Sequence, residues 1–125
     1  MKANELRIGN YLQDNVTKTT VKVVELSKDC ISTYVIDRSK YPLKDGWKLE
    51  PIPLTEEWLL RFGFEKRSII KQNDSYYLNG KVVWATENGF RYFQNRDIIK
   101  YVHQLQNIYF ALTGEELKLK DDEND

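Results

Sequence analysis

The sequence predicts an α+β fold: an N-terminal curled antiparallel β-sheet of the small-barrel kind, a short central helix, antiparallel β-hairpins, and a C-terminal helix packed on the sheet. Three observations carry that reading. The first third of the chain consists of short β-branched runs separated by polar turns. Both ends of a helix are written out between Thr55 and Gly63. Near the end, Tyr101–Thr113 repeats apolar residues at spacings of three and four. With 125 residues, 41% of them hydrophobic and 13% aromatic, the chain has material for one main core.

Taken in order, Ile8–Gln13 reads as the first strand and ends in the polar stretch Asp14–Thr19. Thr20–Leu26 follows, with Val21, Val23 and Val24. After Ser27-Lys28-Asp29, Cys30–Ile36 alternates small, branched and aromatic residues. Asp37–Gly46 lacks periodicity and reads as a loop before a brief strand around Trp47–Glu50. Thr55 then offers a hydroxyl to the unpaired amides of a helix start, and Glu56 and Glu57 place negative charge at its positive end. Leu54 and Leu59 have the spacing of a hydrophobic staple. Gly63 suits the left-handed residue that stops a helix, with Phe64 folding back onto Leu59.

Two hairpins follow in this reading. Ser68–Gln72 and Tyr76–Leu78 flank Asn73-Asp74, and Asn79-Gly80 turns the chain again. Lys81–Glu87 and Phe90–Gln94 flank Asn88-Gly89, both of which tolerate positive φ. A two-residue turn there sets Glu87 opposite Phe90, Ala85 opposite Tyr92 and Trp84 opposite Phe93. Period two then puts Val83, Ala85, Phe90 and Tyr92 on one face, and Val82, Trp84, Thr86, Arg91 and Phe93 on the other. In the last helix Val102, Leu105, Ile108, Tyr109 and Leu112 form the apolar stripe, with His103, Gln104, Gln106 and Asn107 on the polar side and Gly114 as the stop. The expected organisation is one compact domain over residues 1–114, with lobes of roughly 1–50 and 51–114, and an acidic flexible tail over 115–125.

Charge and composition narrow the setting. The formal net charge is zero, yet Glu115–Asp125 holds six acidic and two basic residues, which leaves the body modestly basic. No apolar run approaches the roughly 18–20 residues that cross a bilayer. The opening MKANELRIGN lacks the apolar stretch of a secretory signal, and one cysteine excludes an internal disulfide framework. The expected compartment is the cytoplasm, with no membrane contact.

The side chains that carry chemistry are sparse. One histidine and one cysteine do not make a zinc site, and no Asp/Glu group has motif spacing. Cys30 reads as a small core residue in a strand and His103 as a surface residue of the last helix, so no nucleophile–base pair is expected. The six glycines are isolated turn and cap residues, without a phosphate-binding or nucleophile-elbow motif. The chain therefore reads as a non-enzyme with no catalytic residue, no cofactor and no metal. Its functional hint is aromatic: nine of 16 aromatic residues lie between Tyr76 and Phe110, interleaved with Lys81, Arg91 and Arg96. Trp84, Arg91 and Phe93 are the candidate binding residues, because Arg91 is costly to bury without a counter-charge. Another protein is the expected partner. Nucleic acid is the alternative, since such a ribbon can stack bases and hold phosphates.

The stretches PIPLTEEWLLRFGF (Pro51–Phe64) and KYVHQLQNIYFALTGEEL (Lys100–Leu117), with the opening ANELRIGNYL, carry a resemblance across most of the chain. They resemble a family of small Bacteroidota-type bacterial proteins associated with prophages and mobile elements. That family carries no established activity, so the resemblance supplies no site residue. It implies a setting, an accessory factor that binds host or defence machinery or modulates replication.

Overall fold

Antiparallel pairing organises the protein into two sheets, of four and five strands, with two α-helices. A computed structural model describes residues 5–67, 74–92 and 98–120. The chain divides into two units. One is Met1–Ile52 with Tyr101–Glu116, the other Pro53–Lys100 with Leu117–Asp125. The last helix groups with the N-terminal strands, to which its polar side chains bond.

In the first unit β1 (Tyr11–Asp14), β2 (Thr20–Leu26), β3 (Ile31–Val35) and β4 (Leu49–Glu50) are ordered β3-β2-β1-β4. The outer strands β3 and β4 do not pair, so the small barrel is not closed. The first strand starts at Tyr11, later than expected, because Gly9 takes φ 100° and turns the chain into it. A bulge at Val24 lets β2 bury Val21 and Val23 and pack a partly buried Leu26 against the same core, while Val24 itself is exposed. Leu6, Leu12, Val21, Val23 and Val35 form this core. The β1–β2 loop is wound around the buried Asp14 carboxylate, which accepts from the N–H groups of Val16 (3.1 Å), Thr17 (2.7 Å) and Thr19 (2.6 Å) and from Thr17 Oγ1 (2.7 Å). Burial raises the pKa of this carboxyl, but those donors outweigh it and hold the value at about 2.

The last helix, α2 (Val102–Thr113), overturns the expected polar face. His103 and Gln106 are buried, whereas Leu112, assigned to the apolar stripe, is 52% exposed. Two-residue β4 pairs with β1 at Gln13 and Asp14, short of Tyr11 N–H and Gly9 C=O. The Gln106 amide takes both, accepting from Tyr11 N–H and donating to Gly9 O at 2.9 Å each. A side chain thus continues the ladder where backbone runs out. Asn107 Oδ1 accepts from Asn10 Nδ2 (2.9 Å) and Arg7 Nη1 (3.1 Å), and its Nδ2 donates to Glu5 O (2.7 Å). Arg7 also pairs with Glu116 and lies 3.9 Å from the centre of the Phe110 ring.

In the second unit α1 (Glu56–Phe62) begins and ends as the sequence predicts. Thr55 Oγ1 accepts from Trp58 N–H at 3.5 Å, a long cap. Gly63 is left-handed, and Phe64 N–H bonds back to Leu59 O at 3.0 Å. The sheet is ordered β5 (Glu65–Arg67), β6 (Ser75–Leu78), β7 (Lys81–Thr86), β8 (Gly89–Tyr92) and β9 (Ile98–Ile99). The partner of β6 is Glu65–Arg67; the expected strand Ser68–Gln72 lies outside the described residues. Asn79 (φ 50°) and Gly80 (φ 80°) make the tight turn between β6 and β7.

The next hairpin differs in register from the expected one. Ala85 faces Phe90, Trp84 faces Arg91 and Val83 faces Tyr92, so the two turn residues are Glu87-Asn88. Gly89 is in the ladder, where β9 passes so close that a Cβ would stand 2.7 Å from Ile98 Cγ2 and 3.1 Å from Ile99 O. The offset is two residues, so the assignment of side chains to faces is unchanged.

The tail also differs from expectation up to Lys120. Leu117 and Leu119 are buried, and Lys120 N–H donates to Arg61 O at 3.0 Å. Residues 121–125 lie outside the described residues.

Candidate contact face of the second sheet

Registers across the five strands sort every side chain of this sheet onto one of two faces. One face carries Lys66, Tyr76, Val83, Tyr92, Phe90 and Ile99. Tyr76, Val83, Tyr92 and Ile99 are 3% exposed or less. Lys66 Nζ on this side is 2.7 Å from Glu56 of α1 and 3.4 Å from Asp74, so its cation is matched. The Glu56 hydrogen bond is the main reason the ammonium pKa is raised.

Among the described residues the opposite face is the more accessible one, although Ser75 on it is buried. Its central row runs Arg67, Ser75, Trp84, Arg91 and Ile98 across β5 to β9, with Glu65, Tyr77 and Val82 in the row beside it. Arg67 and Arg91 are exposed, and Tyr77, Trp84, Val82 and Ile98 are half-buried. The Arg67 guanidinium carbon lies 4.3 Å from the centre of the Tyr77 ring, a cation–π contact. Tyr77 and Trp84 are diagonal neighbours on adjacent strands, since Tyr77 faces Val82 and Trp84 faces Ser75. Two hydroxyls on this face are already engaged: Ser75 Oγ donates to Arg67 O (3.0 Å) and Thr86 Oγ1 to Gly89 O (2.8 Å).

Of the predicted binding residues, Trp84 and Arg91 are direct cross-strand partners here, while Phe93 lies outside the described residues. Sequence reasoning missed Arg67 and Tyr77. The run Glu-Lys-Arg of β5 has no apolar alternation, so it reads as a connector, and without β5 the face has no left-hand edge.

The remaining chemistry-bearing side chains are dispersed. Cys30 is exposed, not a core residue, because it lies in the β2–β3 turn just before the paired strand begins. His103 is 2% exposed, not on a solvent face; it stacks on Tyr101 with ring centres 6.0 Å apart, and Glu5 Oε2 lies 3.9 Å from Nε2. Burial lowers the imidazole pKa, with Glu5 opposing that shift. A pocket of about 200 Å³ is lined by Thr17, Thr19, Lys40, Pro42, Leu43 and Lys44. Thr17 Oγ1 gives its proton to Asp14, so Thr19 must donate in the 2.7 Å contact between the two hydroxyls, and neither proton points to a ligand. Among the described residues no group of three or more His, Cys, Asp or Glu side chains is placed to hold a metal ion, and no helix is long and apolar enough to cross a membrane.

By its fold the protein is of the α+β class, built on two open antiparallel sheets. Comparison with protein-family models, with curated proteins and with solved structures returned no match.

Proposed function

We propose that this is a non-enzymatic binding protein that meets its partner through the open face of the five-stranded sheet. The observation that carries this reading is the asymmetry of that sheet: one face is packed with buried tyrosine and aliphatic side chains, while the other presents two exposed arginines beside half-buried Tyr77 and Trp84. Trp, Tyr and Arg are the residue types that dominate binding hot spots. Two partner classes fit. A protein partner is supported by those residue types and, in the mobile-element setting, corresponds to an accessory factor that contacts or inhibits a host or defence complex. A nucleic-acid partner is supported by the way the cations flank the aromatic rings.

Affinity capture from the native host, run with and without nuclease and with the Trp84→Ala/Arg91→Ala variant beside the parent, tests the reading. The expected result is a partner retained by the parent and lost by the variant, by about 2 kcal/mol or more in binding free energy. Arg67→Gln/Arg91→Gln, at two exposed positions, serves where loss of Trp84 unfolds the protein. Equal retention by folded variants overturns the reading.

A further inference from the structure

Resting on the assignment of that sheet face as the contact surface, we propose that its partner is a single-stranded nucleic acid, stacked on Tyr77 and Trp84 and held at its phosphates by Arg67 and Arg91. The two rings sit on adjacent central strands as diagonal neighbours, within the reach that lets aromatic side chains share one ligand. Stacking on such a platform is tolerant of base identity, because every base has a π-face. The arginines lie on β5 and β8, three strand spacings or about 14 Å apart, so they straddle the rings and mark a track for a backbone.

Charge favours the same occupant. The chain is neutral overall, but among the described residues of this face Glu65 is the one carboxylate against two exposed guanidiniums, and Lys66 is turned to the other side against Glu56 and Asp74. A polyanion is complementary to that balance. A duplex fits less well for a geometric reason, since its major groove admits a helix or a two-stranded ribbon and not a five-stranded sheet. Sequence readout is not built in. The hydroxyls of Ser75 and Thr86, which could address base edges, are spent on backbone carbonyls.

The test is fluorescence anisotropy of the full chain with labelled oligo-dT and oligo-rU of about 20 nucleotides, with a duplex of the same length as control. Both single strands should bind at low salt, and the duplex about tenfold more weakly or less. Two phosphate contacts to a single strand predict a slope of about −1.4 in log affinity against log salt. Arg67→Gln/Arg91→Gln should weaken binding about tenfold or more and flatten that slope. Trp84→Phe should keep most of the affinity and Trp84→Leu lose about tenfold, the scale of one stacked base. Absence of single-strand binding at low salt, or equal binding of the duplex, overturns the proposal. If no oligonucleotide binds but a nuclease-resistant protein is captured by the parent and lost by the arginine variant, the nucleic-acid partner fails and the contact face stands. If oligonucleotides bind the arginine variant as tightly as the parent, the face assignment itself fails.

Discussion

The four-stranded sheet and the residues just before it are tied to α2 and the segment after it by side chains about a hundred residues apart in the chain, through polar ties: Gln106 to Tyr11 and Gly9, Asn107 to Asn10 and Arg7, and, beyond the helix, Glu116 to Arg7. The five-stranded sheet is built from partners that are near in sequence, with tight turns at Asn79-Gly80 and Glu87-Asn88, and its buried face is mostly aromatic and aliphatic. The first arrangement demands exact donors and acceptors, because a buried polar group without its partner loses the whole of its solvation. The second demands volume and close approach.

Gln106→Ala offers the hardest way to break this comparison. It strands a buried N–H and a buried C=O, each costing about 1–3 kcal/mol, and leaves a small void, so the expected loss is about 4 kcal/mol in denaturant unfolding. Gln106→Met keeps the volume and removes only the bonds. It should still lose about 3 kcal/mol, and hydrogen exchange at the Tyr11 amide should accelerate in step. A Met variant as stable as the parent would show that packing rather than the amide holds α2.

Gly89→Ala is the matching experiment in the hairpin unit. At φ 142° a side chain is strained, and the Cβ would press on Ile98 Cγ2 and Ile99 O, so about 3 kcal/mol should be lost. Gly80→Ala sharpens the result. Gly80 is also left-handed at φ 80°, but nothing lies within 4 Å of its Cβ position, so its cost should be about 1 kcal/mol. Equal losses at the two glycines would mean that backbone conformation, and not the approach of β9, sets the requirement.

What the sequence made legible follows the same division. Local signals were readable: the Thr55 cap, the Gly63 stop, the Asn79-Gly80 turn, and the two-residue alternation that sorted Trp84 and Arg91 from Val83 and Tyr92. That alternation survived a wrong register because the error was an even number of residues. Gly89 misled the turn assignment, since glycine also serves where two strands approach closely. Polar residues on α2 were unreadable for a physical reason: periodicity ranks hydrophobicity, and Gln106 and His103 are buried for bonding and packing instead. The candidate contact face was half legible. Trp84 and Arg91 were named from composition, but Arg67 and Tyr77 join them only through pairing with β5, whose charged sequence conceals a strand.

The smallest expected effect belongs to His103, and it tests whether the buried polar side of α2 extends to a group without a strong partner. Among the described residues its ring nitrogens have no hydrogen-bond partner, and Glu5 Oε2 lies 3.9 Å from Nε2. Burial lowers the folded-state pKa below the ordinary 6.5, an effect Glu5 partly offsets. The unfolded chain therefore binds a proton first as pH falls. The stability that rests on a neutral imidazole is complete above about pH 6.5 and is lost progressively below it, down to the folded pKa. Between pH 7.5 and 6.0 the loss is at most about 0.8 kcal/mol for one such group. His103→Gln removes the titration, so the difference in stability between parent and variant should shrink by up to that amount across the same interval. Carboxylates change little in this window, which isolates the histidine. A pH-independent difference would place the imidazole in contact with water or with a stronger acceptor than Glu5, and the polar seam of α2 would then end at Gln106.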